Sequence, residues 1–165
     1  MPERIQKITI LGSGWLGLPL AQQWKRRGHD LHVTTTSEAK LKGLAEEGLH
    51  PYLWQTNSPD FEKIPFLSSE LLVVTLPPSR EPENYVNGLR SLLRHLEING
   101  FSGRLLFCST ASVYGNPSGQ LTETAPCDPQ TASAKAVREI EKALMQSELK
   151  QVGIFRLGGL YGNGR

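Results

Sequence analysis

The sequence is poor in the residues that form disulfides and metal sites. Its two cysteines, Cys108 and Cys127, lie far apart and match neither a redox nor a metal-binding spacing. The four histidines are dispersed along the chain, so we do not expect a zinc site. A chain of 165 residues, of which 38% are hydrophobic, fits one domain over residues 1–165 and is long enough to bury a substantial core.

Long hydrophobic runs and clusters of like charge are also absent. No window reaches the length of a membrane-spanning helix, and residues 1–10 (MPERIQKITI) lack the apolar stretch of a signal peptide. The net charge is only +2, and the basic residues are scattered instead of forming the patches that bind nucleic acid. We therefore expect a soluble, cytoplasmic protein without a membrane or nucleic-acid partner, and the sequence leaves a homodimer open.

Short apolar segments alternate with helical patterns along the whole chain, which is typical of βαβ units around a parallel sheet. The predicted strands are residues 7–11, 31–35, 51–54, 71–76, 104–109 and 152–157. Helical spacing of apolar residues predicts helices that carry residues 16–24, 41–45, 86–96 and 136–144. The run at 71–76 (LLVVTL) is too continuous to be exposed on either face. The predicted fold is α/β, with a doubly wound parallel sheet in a three-layer α/β/α arrangement.

A glycine-rich turn follows the first predicted strand. Gly12, Gly14 and Gly17 form the pattern Gly-x-Gly-x-x-Gly between a strand and a helix, which is the context of a Rossmann-type dinucleotide-binding turn. The first glycine allows the tight bend, the second lets the backbone approach a pyrophosphate, and the third lets the helix pack close to the strand. A glycine-rich turn without a ligand is the alternative. The predicted cofactor-binding residues are this turn and the end of strand four: Gly12, Ser13, Gly14, Trp15, Leu16, Gly17, Leu76 and Pro77.

The end of the second strand indicates which dinucleotide is bound. Domains that prefer NAD carry an acidic residue about 20 residues after the glycine motif, where it binds the ribose 2′-hydroxyl. Here Thr34, Thr35 and Thr36 occupy that region, and the first acidic residue is Glu38. The hydroxyls of Thr35, Thr36 and Ser37 can donate to a 2′-phosphate, and Lys40 can add positive charge. These residues are also ordinary strand formers, so the sequence favours NADP and keeps NAD as the alternative.

Further motifs follow the fifth strand in a fixed order. They are residues 109–115 (STASVYG), 122–126 (TETAP), 135–139 (KAVRE) and 156–165 (RLGGLYGNGR). Together with the glycine-rich turn, they resemble the extended short-chain dehydrogenase/reductase superfamily, and in particular its NAD-dependent epimerase/dehydratase group. The resemblance covers essentially the whole chain and implies a Rossmann-type fold that binds NAD or NADP.

The resemblance implies roles for two further residues. Thr110 matches the catalytic serine or threonine, whose hydroxyl bonds a substrate oxygen. Lys135 matches the lysine of Tyr-x-x-x-Lys, which binds the nicotinamide ribose and lowers the pKa of the tyrosine. From the residues alone, Thr110 can equally be a loop hydroxyl that bonds its own backbone, as can Ser112. Lys135 can likewise be the partner of Glu139 in an exposed ion pair.

The sequence departs from the family at the tyrosine itself, because position 131 is a threonine. A threonine hydroxyl is far too weak an acid to replace a tyrosine that exchanges a proton near neutral pH. Loss of such a group typically lowers the rate by about 10²–10⁴-fold. Tyr114 belongs to the Val-Tyr-Gly stretch and is not the family's proton donor. The chain therefore resembles atypical members, which keep the nucleotide fold without the usual catalytic set.

These features predict an NAD(P)-binding protein of the atypical extended class with oxidoreductase-type activity on an unknown small molecule or sugar nucleotide. The alternative is a non-catalytic module that senses redox state or regulates a partner, and a third is a folded remnant of a longer enzyme. Extended members usually continue into a smaller carboxy-terminal lobe that binds the substrate. We expect that lobe to be absent here, so the sequence does not name a substrate.

Overall fold

Six parallel strands form the centre of the fold in the computed structural model, which describes residues 6–57, 60–78 and 81–162. In chain order the strands are β1 (Lys7–Leu11), β2 (Asp30–Thr35), β3 (His50–Leu53), β4 (Leu71–Val74), β5 (Arg104–Thr110) and β6 (Val152–Leu157). The α-helices in these ranges are α1 (Gly17–Arg26), α2 (Glu38–Glu46), α3 (Pro82–Ile98) and α4 (Ala132–Met145). A short 3₁₀ helix, Ala111–Tyr114, follows β5 directly.

The order of the strands in the sheet is β3-β2-β1-β4-β5-β6, and each neighbouring pair is parallel. This is the order of a Rossmann-type doubly wound sheet, and it confirms the predicted fold class. The order reverses between β1 and β4, and in such sheets a crevice opens at the carboxyl ends of the strands at that point. The residues that follow β1 and β4, beginning with Gly12 and Thr75, therefore border the crevice.

Side chains from β4 enter both faces of the sheet, because successive residues of a strand point to opposite sides. Leu71 and Val73 pack in a hydrophobic cluster with α1 and α2, whereas Leu72 and Val74 pack in a second cluster with α3 and α4. All four are buried, as the continuous apolar run predicted. The arrangement has three layers, with a pair of helices on each face. No helix within the described ranges is both long and apolar enough to cross a membrane.

The predicted bounds of β1, β2, β3, β5 and β6 agree with the observed ones to within one residue, and two larger differences have a physical cause. β4 ends at Val74, two residues early, and Thr75 directs its hydroxyl to the carbonyl oxygens of Leu11 (2.9 Å) and Gly12 (2.8 Å). The end of β4 is thereby fixed to the start of the glycine-rich turn by a side chain. α3 begins at Pro82, ahead of the apolar residues from 86 onward, because proline suits the first turn of a helix.

A buried carboxylate on α4 joins three elements of the carboxy-terminal half. Oε1 of Glu141 accepts hydrogen bonds from the Ser109 hydroxyl of β5 (2.5 Å) and from Nε of Arg156 on β6 (2.9 Å). Oε2 accepts from Nη2 of Arg156 (2.9 Å) and from Nη1 of Arg138, one helical turn earlier (2.7 Å). We call these four residues the Glu141 network. It fixes α4 against the two strands on that side of the sheet.

The network keeps Glu141 ionised although its side chain is fully buried. Burial alone would raise the pKa of Glu141, but hydrogen bonds from Arg156, Ser109 and Arg138 outweigh it and hold the pKa below its ordinary value of 4.5. The same contacts raise the pKa of Arg156. Both charges are therefore present at every pH near neutrality.

Replacing Glu141 by glutamine tests the energetic weight of this network. We expect Glu141→Gln to lower the free energy of unfolding at neutral pH by about 3–5 kcal/mol, because two arginines lose their buried counter-charge. The pKa of Glu141 is lower in the folded chain than in the unfolded chain. Its contribution is therefore complete above the unfolded value and is lost as the pH falls through the folded one. Urea denaturation at neutral pH and at pH values below 4.5 measures both effects.

The matched control is Glu139→Gln on the same helix. Glu139 pairs with Arg90 at 2.9 Å, and both side chains are about half exposed. A pair of this kind contributes at most about 1 kcal/mol. Equal losses of stability in the two variants would show that the Glu141 network has no special weight.

Candidate functional site

A cleft of about 490 Å³ lies at the carboxyl ends of β1, β2 and β4, where the strand order predicts a ligand site. This volume lies within the range of small-molecule and cofactor sites. Eight of the predicted cofactor-binding residues line it: Gly12, Ser13, Gly14, Thr34, Thr35, Thr36, Leu76 and Pro77. The structure therefore brings together the glycine-rich turn, the end of β2 and the end of β4 as one surface.

The structure gives a different account of why each of the three positions in the turn is a glycine. Gly12 has φ of +100°, a conformation that side chains rarely allow. A Cβ on Gly17 would lie 1.9 Å from the carbonyl oxygen of Gly12 and 2.7 Å from Oγ1 of Thr75, so only glycine lets α1 approach β1 this closely. A Cβ on Gly14 would meet no atom within 4 Å. Packing within the chain thus requires Gly12 and Gly17 and leaves Gly14 facing open space.

The remaining residues of the turn are Trp15, Leu16 and Gly17, which lie at the start of α1 and do not line the cleft. Leu16 is the N-cap residue of α1, and Gly17 is the first helical residue. Trp15 is partly exposed, and its ring lies near the carboxy-terminal segment, since a Cβ on Gly162 would be 3.4 Å from Cζ2 of Trp15. Trp15, Leu16 and Gly17 are therefore not part of the cleft lining, although the amino end of α1 borders it.

Three buried polar atoms at the cleft have no hydrogen-bond partner within the described part of the chain. They are Oγ of Ser13, Nε1 of Trp54 and Oη of Tyr85, and all three residues line the cleft and are at most 5% exposed. Buried polar groups are nearly always paired, and each unpaired one costs about 1–3 kcal/mol. Burial raises the pKa of Tyr85, so its hydroxyl remains protonated and able to donate. A polar ligand in the cleft would satisfy such atoms.

Trp54 and Tyr85 were not predicted from the sequence. In the prediction, Trp54 was the last residue of the third strand. In the structure, Tyr85 lies near the start of α3, just before the apolar residues that predicted this helix. The available signal was their position, since Trp54 directly follows β3 and Tyr85 lies in the first turn of the helix after β4, both on the side of the sheet where the strands end. Their unpaired polar atoms become visible only when the packing around them is known.

The threonines at the end of β2 do not share one role. Oγ1 of Thr34 accepts a hydrogen bond from the backbone N–H of Gly12 (2.9 Å), so this side chain supports the turn. Oγ1 of Thr35 accepts from the N–H of Ser37 (3.2 Å). Thr36 is exposed and lines the cleft together with the exposed Lys40. The groups best placed to contact a 2′-phosphate are therefore Thr36 and Lys40, and Thr34 is not among them.

Thr110 is the last residue of β5 and caps the 3₁₀ helix that follows. Its Oγ1 accepts hydrogen bonds from the backbone N–H of Ser112 (3.3 Å) and from the Ser112 hydroxyl (3.2 Å). Thr110 and Ser112 thus form the local hydrogen bonds that the sequence analysis gave as the alternative to a catalytic role. Because Thr110 is the acceptor in both bonds, its own hydroxyl hydrogen remains available as a donor.

Tyr114 has its hydroxyl engaged on both sides. The hydroxyl donates to the carbonyl oxygen of Thr122 (3.1 Å) and accepts from Nη1 of Arg156 (2.9 Å). The guanidinium of Arg156 also lies 4.8 Å from the centre of the Tyr114 ring. Tyr114 therefore connects the Glu141 network to the loop after β5, and this geometry agrees with its exclusion as a proton donor.

Position 131, where the family carries its tyrosine, is used to start a helix. Thr131 is the N-cap residue of α4, and its Oγ1 accepts from the backbone N–H of Ala134 (3.1 Å). Lys135 lies in the first turn of α4 and is exposed. The predicted alternative of a Lys135–Glu139 pair is wrong, because Glu139 is bound to Arg90 instead. Thr110 and Lys135 lie outside the lining of the cleft, at the end of β5 and the start of α4.

Three of the known proteins that this chain resembles agree with one another in what they indicate. Protein YeeZ of Escherichia coli K12 is 31% identical over 170 aligned positions, which cover 98% of this chain and 61% of YeeZ. A candidate NAD-dependent epimerase/dehydratase from Methylobacillus flagellatus has a TM-score of 0.77 at 30% identity, covering 98% of this chain and 57% of that one. WbmG of Bordetella bronchiseptica, solved with NAD and UDP, has a TM-score of 0.78 at 23% identity, covering 96% and 55%. The chain thus spans less than two thirds of the length of each.

The description of the matching family model is "NAD dependent epimerase/dehydratase family", and the match covers residues 77–165, more than half of the chain. These residues include the end of the cleft at Pro77, the motif after β5 and the helix that carries Lys135. The glycine-rich turn and the strand order of the sheet agree with that assignment. The chain belongs to the NAD-dependent epimerase/dehydratase family of the extended short-chain dehydrogenases/reductases.

Proposed function

We propose that residues 1–165 form one NAD(P)-binding domain, in which the glycine-rich turn at residues 12–17 holds the pyrophosphate. The observation that carries this proposal is the open space at Gly14. The fold itself explains Gly12 and Gly17, because any side chain at position 17 would collide with the backbone. A bound phosphate would explain the glycine at position 14, because the backbone could then approach the phosphate closely.

The amino end of α1 supports an anionic ligand at this place. Its N-cap residue, Leu16, offers no side-chain hydrogen bond, and the first turn contains no acidic residue. The first N–H groups of a helix lack partners within the helix, and they carry the positive end of its dipole. Because no side chain of α1 neutralises this end, a phosphate group is a suitable partner for it.

The rest of the cleft has the polar groups that a nucleotide requires. Ser13, Trp54 and Tyr85 contribute the three unpaired polar atoms, and Ser13 belongs to the turn itself. WbmG, which has the same fold, was solved in complex with NAD and UDP. We propose that the adenosine half of NAD(P) fills the cleft and that the substrate is a small molecule of the sugar-nucleotide class. The protein would then work in the cytoplasm, where such substrates and the cofactor are found together.

The proposed preference for NADP depends on charge at the ribose end of the cleft. Thr36 and Lys40 line it, and no acidic residue stands at the end of β2. The carboxylate of Glu81 also lines the cleft, but it stands at the start of α3 and accepts a hydrogen bond from Asn84. Hydroxyl groups and one exposed lysine bind a phosphate less strongly than an arginine clamp. NAD therefore remains a weaker ligand of the same site.

The catalytic groups of this site are remodelled. When bound, the nicotinamide supplies hydride transfer. Thr110 would donate its hydroxyl to a substrate oxygen, and the exposed Lys135 would bind the ribose beside it. Thr131 caps α4 and is too weakly acidic to move a proton. The expected activity is therefore slow, or it uses a proton donor that belongs to the substrate.

The test of dinucleotide binding is Gly14→Val. The branched side chain would occupy the space proposed for the pyrophosphate, and its Cβ would meet no atom of the chain within 4 Å, so the fold should be retained. We expect fluorescence titration to show saturable binding of NADPH to the wild-type chain and none to the variant at the same concentrations. Gly43→Val is the matched control, because Gly43 also faces open space and does not line the cleft. Unchanged affinity in a folded Gly14→Val variant would locate the phosphate elsewhere.

Cofactor choice is tested by Thr35→Asp. We expect the wild-type chain to bind NADPH about tenfold more tightly than NADH, or ~1.4 kcal/mol. The new carboxylate at the end of β2 should reverse this ratio, because it accepts from the ribose hydroxyls and repels a 2′-phosphate. Thr35→Asn is the control, because asparagine is nearly as large as aspartate but uncharged. It should leave the ratio of NADPH to NADH affinity close to that of the wild type. A wild-type chain that prefers NADH would contradict the proposed role of Thr36 and Lys40.

A non-catalytic module that binds NAD(P) is the second candidate function. Two residues favour it: the Tyr114 hydroxyl already donates to Thr122 and accepts from Arg156, and the Thr131 hydroxyl is too weakly acidic to act as the proton donor. In this case the cleft would report the redox state of the cofactor to a partner. The two candidates share the binding site and differ only in turnover.

Thr110→Ala separates the two candidates. If the chain is an enzyme, a panel of carbonyl compounds and sugar nucleotides should include one that oxidises NADPH. Removal of the Thr110 donor should then lower that rate by about 10²–10³-fold. Ser112→Ala is the control, because it removes the local hydroxyl–hydroxyl bond and keeps the Thr110 hydroxyl. A silent panel with tight NADPH binding would identify the module.

A further inference from the structure

Strand pairing joins two histidines that are 18 positions apart in the sequence. His32 of β2 is the direct neighbour of His50 of β3 in the parallel register, and their rings stack with centroids 4.8 Å apart. Asp30 lies two residues before His32, so its side chain points to the same face of β2. The linear spacing that gave no zinc site is therefore not the relevant spacing.

The three side chains present donor atoms at distances that suit a metal ion. Nε2 of His32 lies 3.1 Å from Oδ2 of Asp30, and Nε2 of His50 lies 3.2 Å from Oδ1 of the same carboxylate. One donor atom from each residue lies within 4.8 Å of the other two. Tetrahedral zinc, with ligand bonds of about 2.0–2.1 Å, holds its donor atoms about 3.3 Å apart. Small side-chain movements would thus bring all three donors to one ion.

A second contact orients the inner histidine. Nδ1 of His32 lies 3.0 Å from the hydroxyl of Tyr52, and the two rings stack at 5.8 Å. This leaves Nε2 directed at the cluster, which is how ligating histidines are usually fixed by a partner on their other nitrogen.

The charge around the cluster bears on its affinity. The Asp30 carboxylate contacts both histidine rings and contributes the acidic donor of the cluster. Lys7 is the β1 neighbour of Asp30, and its positive charge opposes a cation. Its Nζ, however, lies 3.3 Å from Oγ of Ser68.

We propose that Asp30, His32 and His50 form a zinc site with a fourth position open to water or to an external ligand. Two nitrogen donors and one carboxylate suit Zn²⁺ better than they suit Mg²⁺ or Ca²⁺, which prefer oxygen donors. The side chains of His50 and Asp30 are 55% and 43% exposed, so the ion can enter from solvent. The site lies toward the amino ends of β2 and β3, whereas the cleft lies at the carboxyl ends. A bound ion would join β3, the edge strand, to the sheet.

The proposal is tested on metal-free protein from which any histidine tag has been removed. Competition with a chromophoric zinc chelator gives affinity and stoichiometry, and substitution with Co²⁺ gives the visible absorption of a tetrahedral site. We expect one ion per chain and a higher melting temperature with zinc. His50→Gln, at an exposed position, should abolish the tetrahedral cobalt spectrum. Tyr52→Phe, which removes only the bond to Nδ1 of His32, should lower zinc affinity about tenfold or more.

His95→Gln is the matched control, because His95 lies on α3 against Phe61 and outside the cluster. It should bind zinc as the wild type does. The proposal is overturned if the wild-type chain binds no stoichiometric zinc, or if His50→Gln binds zinc as tightly as His95→Gln. The Gly14→Val variant should retain zinc binding, so failure of the dinucleotide site and failure of the metal site can be told apart.

Discussion

The close contact between α1 and the end of β1 is the constraint on which the proposed site depends. Without a side chain at Gly17, the helix approaches until the position of a Cβ would be 1.9 Å from the Gly12 carbonyl oxygen. Thr75, which follows β4, donates its hydroxyl to the same carbonyl oxygen. Thr34 of β2 accepts a hydrogen bond from the N–H of Gly12. The turn is thus held from three neighbouring elements, and its remaining glycine, Gly14, is left at the cleft.

In the carboxy-terminal half, a buried charged network adds to the hydrophobic core between α3, α4 and the sheet. Glu141 binds Arg156 and Arg138 from a fully buried position, and Arg156 continues to Tyr114. This network sets the relative positions of β5, α4 and β6, and with them the residues that follow β5. The loss of the family's tyrosine at position 131 therefore leaves the scaffold intact, because Thr131 caps α4 while the network keeps that helix in place.

Local patterns predicted what depends on local sequence. The apolar run at 71–76 indicated a buried strand, and the alternation of strands and helices indicated a doubly wound parallel sheet; the structure confirms both. Features that depend on register or on packing were not predictable. His32 and His50 meet only through the β2–β3 register, and the unpaired atoms of Trp54 and Tyr85 arise only from burial. The sequence did not distinguish Thr34, which accepts a hydrogen bond from the turn, from the threonines that follow it.

A crystal structure of the chain with bound NADP⁺ tests the central claim most directly. The account predicts the pyrophosphate against residues 12–17 at the amino end of α1, with Gly14 at the closest backbone approach. It also predicts the 2′-phosphate beside Thr36 and Lys40, and at least one hydrogen bond to the unpaired atoms of Ser13, Trp54 or Tyr85. Density for the dinucleotide outside this cleft, or a pyrophosphate without contact to the turn, would contradict the account.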